Sequence, residues 1–282
     1  MSMQNYNKKI SEMIMDTLQI IAITLLFAYG ILAVIALLFS DGMIFPNKPS
    51  SYTDNQRIIK IPIDNGKTIS GIYLPHKRFQ YTLLYSHGNY EDIGELYPIL
   101  ESFQKFGFSV FAYDYPGYGT SDGRATEKGA YASINAAYEY LVDKLKIKPE
   151  KIIALGRSVG GGPAVDLASR KPLGGLILES TFVSAFRVMT KYPLFPWDKF
   201  SNISKINSVQ CPILFIHGTE DEVVSFWHGK ALMEKANKPK LYLWVEGAGH
   251  NDLIVFAGKT YWDTLDKFRI DIEKYERNPK MM

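Results

Sequence analysis

Two hydrophobic patterns divide the chain near residue 40. The 22 residues at 18–39 carry no charge, and their apolar side chains would cover every face of a helix. At 1.5 Å per residue that helix is about 33 Å long, which is enough to cross the core of a bilayer. It exceeds the roughly 7–15 residues of a secretory signal's apolar region. The pattern predicts one amino-terminal transmembrane helix, with a buried core helix as the alternative.

Beyond residue 56, short apolar runs alternate with amphipathic ones. The first two runs, 57–63 and 67–74, are joined by Asn65-Gly66, a pair typical of hairpin turns. The alternation that follows predicts an α/β fold: a mostly parallel central sheet with helices on both faces and an antiparallel hairpin at one edge. The strand candidates are 81–86, 108–114, 151–155, 175–179, 212–217 and 240–246, and the helix candidates lie near 94–106, 126–145, 159–169, 225–236 and 258–275.

These patterns also predict the domain organisation. An amino-terminal span with Lys8 and Lys9 ahead of it favours a cytoplasmic tail, which places the folded domain on the non-cytoplasmic side. The predicted segments are a tail at 1–17, a transmembrane anchor at 18–39, a polar linker with two prolines at 40–56 and a folded domain at 57–282.

Composition narrows the function classes. The net charge is only +3 and no basic stripe concentrates it, so we expect no nucleic-acid partner. Cys211 is the single cysteine, which excludes an internal disulfide. The chain shows no clustered ligand spacing, so we expect no metal and no organic cofactor.

The candidate nucleophile is Ser158 in Gly156-Arg157-Ser158-Val159-Gly160. The bare G-x-S-x-G pattern also arises by chance. Here it follows the apolar run 151–155 and precedes a helical stretch, which is the strand–turn–helix context of the α/β-hydrolase nucleophile elbow. Glycines on both sides leave room for a tight turn that exposes the hydroxyl.

The partner base must be one of five histidines. In an α/β-hydrolase the nucleophile, the acid and the base follow in that order. His250 lies just past the last strand and is the expected base, with a helix-capping role as the alternative. His87 and His217 end strands but come too early in this order, whereas His76 is expected at the surface and His228 in a structural role.

The acid is expected in Glu220-Asp221-Glu222, after the strand at 212–217. Three adjacent carboxylates could form a solvated loop, but Val223 and Val224 return the chain to an apolar environment. Asp221 is therefore the candidate, and Glu179 is the alternative acid. Asp114 precedes the nucleophile and is expected to support a loop.

Acyl transfer also needs N–H groups that stabilise the developing oxyanion. One is expected from Val159, the residue after the nucleophile. The other is expected from the loop after an early strand, where His87-Gly88-Asn89 makes Asn89 the candidate. An ordinary strand-to-helix turn is the alternative for that segment.

Together these motifs resemble the α/β-hydrolase domain-containing protein 17 family of depalmitoylases and their bud-emergence-type relatives. The resemblance covers about residues 58–268 and implies Ser158 as nucleophile, Asp221 as acid, His250 as base, and Asn89 with Val159 as oxyanion donors. The segments that carry it are Ser-His-Gly-Asn at 86–89, Asp-Tyr-Pro-Gly-Tyr-Gly at 114–119, the elbow at 156–160, Phe-Pro-Trp-Asp-Lys-Phe at 195–200, and the acid and base segments at 217–224 and 244–252.

The resemblance implies a membrane-bound acyl hydrolase. Those depalmitoylases reach membranes through an amino-terminal cluster of palmitoylated cysteines, which this chain lacks, and the apolar span takes its place. We expect a membrane-anchored serine hydrolase that cleaves acyl esters or thioesters of a lipidated protein or a lipid. The alternatives are lysophospholipase, acylglycerol lipase or peptidase activity, or a catalytically silent interaction module. The segment 180–211 contains an apolar, aromatic stretch at 192–197 and predicts a short cap near the acyl site, with a role in completing the core as the alternative.

Overall fold

The structure is a computed structural model that describes residues 3–46 and 48–277, except for the side chain of Asn65. The chain divides into two compact units between Met43 and Ile44. Each unit is described by itself below.

The first unit is almost entirely one helix, α1 (Met3–Ile44), of 42 residues. Its most apolar 18-residue window has a mean hydropathy of 2.8, and none of that window is buried, so α1 is a candidate membrane span. The helix is longer than the predicted anchor at both ends. Most of the predicted tail is helical because it contains no Gly or Pro, and α1 ends just before Pro46, where the residue preceding proline disfavours helical geometry.

The second unit contains an eight-stranded sheet in the order β1-β2-β4-β3-β5-β6-β7-β8. The β1–β2 and β2–β4 pairs are antiparallel, and every other pair is parallel. The predicted α/β fold is confirmed, including the antiparallel hairpin at one edge. The strands are β1 (Ile58–Pro62), β2 (Thr68–Leu74), β3 (Thr82–Ser86), β4 (Ser109–Tyr113), β5 (Ile152–Arg157), β6 (Gly175–Glu179), β7 (Ile213–Gly218) and β8 (Lys240–Val245).

Helices cover both faces of the sheet, because the central strands are apolar on both sides. Leu84 faces one core with the helices Glu127–Glu139, Gly161–Ala168 and Trp227–Lys235. Leu83 faces the other core with the helices Tyr97–Phe106 and Lys259–Arg277. Short 3₁₀ turns and one π-helical turn, Tyr140–Lys144, complete the connections. The helices are α2 (Tyr97–Phe106), α3 (Glu127–Glu139), α4 (Gly161–Ala168), α5 (Phe186–Met189), α6 (Asn202–Lys205), α7 (Trp227–Lys235), α8 (Leu253–Ala257) and α9 (Lys259–Arg277).

Strand register fixes where the functional loops meet. Ser86 of β3 pairs with Gly156 of β5, and Arg157 pairs with Glu179 of β6. Because parallel strands end at the same edge of the sheet, the loops after β3, β5, β7 and β8 converge there. This edge carries the candidate site.

The predicted linker at 40–56 is not a free connection. Its first residues belong to α1, and Phe45 is 5% exposed, with its ring against Tyr115, Tyr118 and Phe200. Phe45, in the segment between α1 and β1, therefore belongs to the core of the second unit. Polar composition alone does not reveal this, since it does not show where the polar groups find their partners.

Candidate active site

The turn after β5 holds Ser158 in a conformation that serine rarely adopts, with φ of +52°. A side chain at Gly156 would collide with the backbone of Gly160, and one at Gly160 would collide with the carbonyl of Ser86. Gly156 therefore allows the turn to close tightly on itself, and Gly160 allows it to pack against the end of β3. Positive φ at a non-glycine residue costs about 1–3 kcal/mol and is concentrated at functional sites.

The loops after β7 and β8 bring Asp221 and His250 to this serine. The Ser158 hydroxyl lies 3.1 Å from His250 Nε2, in position to donate a hydrogen bond. On the other side of the ring, His250 Nδ1 lies 2.8 Å from Asp221 Oδ2. All three side chains are buried. The structure thus brings together the three side chains that the sequence selects.

Asp221 is held as a carboxylate. Burial opposes its ionisation, but hydrogen bonds from His217 and His250, together with the charge of His250, lower the pKa of Asp221 well below its ordinary value. The backbone N–H groups of Val223 and Val224 donate to its Oδ1 at 3.0 and 2.7 Å. An ionised carboxylate that is fixed in this way favours the His250 tautomer that carries its proton on Nδ1.

Strand register sets where the two candidate oxyanion donors leave the sheet. Asn89 and Val159 each lie three residues beyond the Ser86–Gly156 pair of β3 and β5. Both the backbone and the side chain of Asn89 are hydrogen-bonded. Its carbonyl accepts from the Tyr118 hydroxyl at 2.7 Å, and its side-chain amide donates to the Ile44 carbonyl at 3.0 Å.

The other histidines occupy distinct places. His76 is exposed, and buried His228 accepts a hydrogen bond from the Val183 N–H at 3.2 Å. His217 Nε2 lies 2.8 Å from the Val224 carbonyl and 3.3 Å from Asp221, which makes it a support for the acid loop. The sequence order does not suggest that role.

His87 forms a buried pair with Asp114, at 3.3 Å. Burial opposes protonation, but the hydrogen bond and charge of Asp114 raise the pKa of His87 above its ordinary value. Asp114 also accepts from the Ile93 N–H at 2.9 Å and the Tyr52 hydroxyl at 2.6 Å. The Asp114 carboxylate thus supports the loop after β3.

Glu179, the alternative acid, has other partners. Its carboxylate accepts from the Tyr261 hydroxyl at 2.7 Å and lies 3.5 Å from Arg157 Nε. Burial raises the pKa of Glu179. Since His250 Nδ1 is bonded to Asp221, Glu179 does not occupy the acid position.

Arg157 is a site residue that the sequence reasoning passed over. Its guanidinium pairs with Glu91 and lies 2.6 Å from Asn251 Oδ1 and 3.4 Å from the His250 carbonyl. Glu91 in turn accepts from the Gly88 N–H at 2.9 Å. Arg157 therefore joins the loop after β3 to the loop that carries His250. The sequence could have indicated a role for Arg157 through its position. A guanidinium at the end of a buried strand, next to the nucleophile, needs charged or hydrogen-bonding partners.

No group of three or more His, Cys, Asp or Glu residues that could hold a metal ion occurs within residues 3–46 and 48–277.

Comparison with known proteins identifies the family. A family profile described as serine aminopeptidase, S33, matches residues 78–203. The chain is 44% identical over 193 residues to human alpha/beta hydrolase domain-containing protein 17B, an alignment that covers 67% of this chain and 66% of that protein. This chain belongs to the α/β-hydrolase superfamily of serine hydrolases. The hydrolase is also 43% identical to the 17C protein of Mus musculus over 194 residues, or 67% of this chain and 59% of that protein.

The hydrolase thus matches about two thirds or less of the length of these relatives. Among solved structures, an esterase from Pyrococcus furiosus superimposes on the hydrolase with a TM-score of 0.66. The superposition covers 79% of this chain and 96% of the esterase, at 19% sequence identity. At that identity the similarity concerns the fold alone.

Proposed function

We propose that the hydrolase is a membrane-anchored enzyme that cleaves acyl esters or acyl thioesters through an acyl-enzyme intermediate. The observation that carries the proposal is the hydrogen-bond chain from Ser158 through His250 to Asp221. A serine hydroxyl is a weak nucleophile at neutral pH, and a neighbouring imidazole that is oriented by a carboxylate activates it.

In the proposed first half-reaction, Ser158 Oγ attacks the acyl carbonyl carbon while His250 Nε2 takes the hydroxyl proton. The N–H groups of Val159 and Asn89 stabilise the oxyanion of the tetrahedral intermediate. Collapse of the intermediate expels the alcohol or thiol, which takes the proton from His250. Asp221 stabilises the transient imidazolium and keeps Nδ1 protonated.

The second half-reaction repeats these steps with water. His250 removes a proton from water as its oxygen attacks the acyl-enzyme carbonyl, and the same two N–H groups stabilise the new oxyanion. His250 then returns the proton to Ser158 Oγ as the carboxylic acid leaves. The cycle needs no metal or organic cofactor.

A fluorophosphonate probe tests the nucleophile directly. Wild type should be labelled, and Ser158→Ala should lose labelling together with nearly all ester hydrolysis, because the remaining groups provide no covalent route. Ser169→Ala is a matched control, since the Ser169 hydroxyl donates to the Asp166 carbonyl on α4 and serves no catalytic step. Equal labelling of wild type and Ser158→Ala would contradict the proposal.

The cap segment supports an acyl substrate. Between β6 and β7 the chain forms only the four-residue helices α5 and α6 and a 3₁₀ turn. Met189, Tyr192 and Leu194 are exposed there, and Phe195 stacks on Trp197 at 5.3 Å. We propose that this segment contacts the acyl chain of a lipidated protein or a lipid.

A substrate series separates these possibilities. Ester hydrolysis that rises with acyl-chain length would support an acyl-binding cap, and preference for an acyl-thioester peptide over the matched ester would identify a lipidated protein as substrate. Equal rates across the chain lengths would remove the cap from substrate binding. Preference for a lysophospholipid, an acylglycerol or a peptide bond would place the enzyme in one of those classes instead.

We propose that α1 anchors the enzyme in a membrane, since its apolar stretch is long enough to cross one. Lys8 and Lys9 favour a cytoplasmic amino terminus and a catalytic domain on the other side. A reporter that is fused to the carboxyl terminus tests the orientation. We expect a non-cytoplasmic signal, and a cytoplasmic signal would show that the proposed orientation is wrong.

A further inference from the structure

The segment that follows α1 lies directly on the loop that carries Asn89. We call residues 44–46 and 48–52 the strap, and residues 88–95 the oxyanion loop. Backbone and side-chain groups of the strap bond to four residues of that loop. The contacts are Asn89 Nδ2 to the Ile44 carbonyl at 3.0 Å, Lys48 Nζ to the Tyr90 carbonyl at 3.0 Å, Ser51 N to Asp92 Oδ2 at 2.7 Å, the Ser51 hydroxyl to Asp92 Oδ1, and Lys48 to Glu95.

Two further contacts tie the strap to the same loop through a third group. The Tyr118 hydroxyl lies 2.7 Å from the Asn89 carbonyl and 3.2 Å from that of Pro46. The Tyr52 hydroxyl donates to Asp114 Oδ2 at 2.6 Å, while Asp114 Oδ1 accepts from the Ile93 N–H at 2.9 Å.

The strap itself has a fixed position. The Phe45 ring is buried among aromatic side chains, and burial, then the charge of Asp114, raises the pKa of Tyr52 well above its ordinary value, so its hydroxyl remains a donor. Asp92 is likewise held as a carboxylate, because hydrogen bonds from Ser51, Glu95 and Gly94 outweigh its burial and lower its pKa.

An oxyanion donor must be held accurately. It stabilises the transition state only when its N–H lies about 2.7–3.1 Å from the position of the developing charge, and a displacement of about 1 Å can cost 10²-fold in rate. Residues 87–92 lie outside the helices and strands, so the backbone ladder of the sheet does not fix Asn89. The strap contacts add to the restraint that the Tyr118 hydroxyl and the Glu91–Arg157 pair provide.

We propose that the strap is a positioning element for the Asn89 oxyanion donor, so that the segment joining α1 to the enzyme also sets the turnover rate. The inference rests on the proposed function of Asn89. None of the strap residues touches the reacting atoms.

The test is a triple variant of the full chain, Lys48→Met, Ser51→Ala and Tyr52→Phe, which removes three strap side-chain groups and keeps their apolar volume largely intact. Oxyanion stabilisation acts in the transition state, so we expect kcat for a soluble ester to fall about 10-fold with KM nearly unchanged. Amide hydrogen exchange at residues 88–93 should accelerate about 10-fold, with exchange in β5 and β6 unchanged.

The matched control is Ser133→Ala, Tyr138→Phe and Lys151→Met. These side chains bond to the Gly129 carbonyl, the Pro172 carbonyl, and Tyr81 with Glu276. The control should keep both kcat and exchange at 88–93 even when its melting temperature falls as far as that of the strap variant. The single variant Lys48→Met changes only one partly exposed side chain, so it serves if the triple variant does not fold. It should show smaller changes in kcat and in exchange at 88–93.

The readouts separate the two proposals. Unchanged exchange at 88–93 in the strap variant would overturn the positioning role, whatever the activity. Faster exchange with unchanged kcat would overturn the link to turnover. If wild type lacks Ser158-dependent hydrolysis, the proposed function fails and the link to turnover fails with it, while the exchange data still report whether the strap holds the loop.

Discussion

The two sides of Ser158 are built by different means. On the acid–base side, side chains meet side chains: Asp221 and His250 come from the loops after β7 and β8 and bond to each other at 2.8 Å. On the oxyanion side, the candidate donors are backbone N–H groups of Val159 and Asn89. Strand register, a close approach at Gly160 and the hydrogen bond that the Asn89 side chain donates to the strap's Ile44 carbonyl restrain these segments.

This difference determines what each side tolerates. The acid–base side depends on the chemical identity of a few residues, so a conservative exchange of one atom should abolish its function. The oxyanion side depends on geometry that many contacts share, so single changes should have graded effects.

Asp221→Asn should reduce kcat about 10⁴-fold, because an amide at this position stabilises the wrong His250 tautomer and provides no charge for the imidazolium. The measurement is kcat for ester hydrolysis, together with the melting temperature. Glu220→Gln is the control, since this neighbouring carboxylate is exposed and should leave kcat unchanged. A large loss of kcat in Glu220→Gln, with kcat retained in Asp221→Asn, would show that Asp221 is not the acid.

Gly160→Ala tests the close approach on the oxyanion side. The added methyl group would collide with the carbonyls of Ser86 and His87 and push the loop after β3 away from the elbow. We expect kcat to fall about 10²-fold, the cost of a displacement near 1 Å. Gly174→Ala is the matched control, because its methyl group would collide with the Glu150 carbonyl away from the elbow.

Both glycine variants should lose thermal stability, but only Gly160→Ala should lose kcat. Equal loss of kcat in the two variants would mean that the effect reports general destabilisation. The oxyanion side would then show no special dependence on this contact.

Arg157→Met tests the bridge between the two sides. The Arg157 guanidinium reaches Glu91 on the oxyanion side and Asn251 next to His250, and its loss leaves the buried carboxylate of Glu179 without that cation. We expect about a 10-fold loss in kcat, since both loops would be less accurately placed. Arg170→Met removes a partly exposed arginine that pairs with Asp166 and should keep kcat. Equal kcat in wild type and Arg157→Met would show that the sides are positioned independently.

The acid–base side could be predicted from the sequence more completely than the oxyanion side. The acid–base candidates could be chosen from residue type and chain order, because Asp221 and His250 follow strands whose apolar runs are plain. All eight predicted strands occur, with ends within two residues, since buried parallel strands are continuous apolar runs. The roles of the site residues stay predictions, although their side chains are brought together as expected.

The oxyanion side was harder to predict from the sequence, because the residues that hold its loop are distant from it along the chain. Asn89 is hydrogen-bonded to the Ile44 carbonyl, and Glu91 forms an ion pair with Arg157. Neither contact produces a recognisable local sequence pattern. The polar composition of residues 40–56 indicates a linker equally well whether its groups bond to water or to a loop. Similarly, the end of α1 at Ile44 follows from Pro46 rather than from the apolar stretch on which the predicted anchor rests.

The two sides should also respond to pH with opposite sign. On the acid–base side, burial lowers the pKa of His228 to about 4, so its stabilising contribution is present above its unfolded pKa of about 6.5 and is lost as the pH falls towards 4. On the oxyanion side, burial opposes the charge of His87, but Asp114 raises its pKa. Its contribution is therefore present below about 6.5 and is lost as the pH rises through the folded value.

Denaturant unfolding between pH 4 and pH 8 measures both contributions. Relative to wild type, His228→Gln should lose less stability on acidification from pH 6.5 to pH 4, because it no longer has a neutral imidazole to protonate on unfolding. His87→Gln should lose less stability than wild type as the pH rises from 6.5 to 8, because it has no protonated pair with Asp114 to lose. The slopes decide the matter, since both variants lower stability at every pH by removing a buried hydrogen bond. Slopes that change in the same direction would mean that the two histidines are not held in opposite charge states.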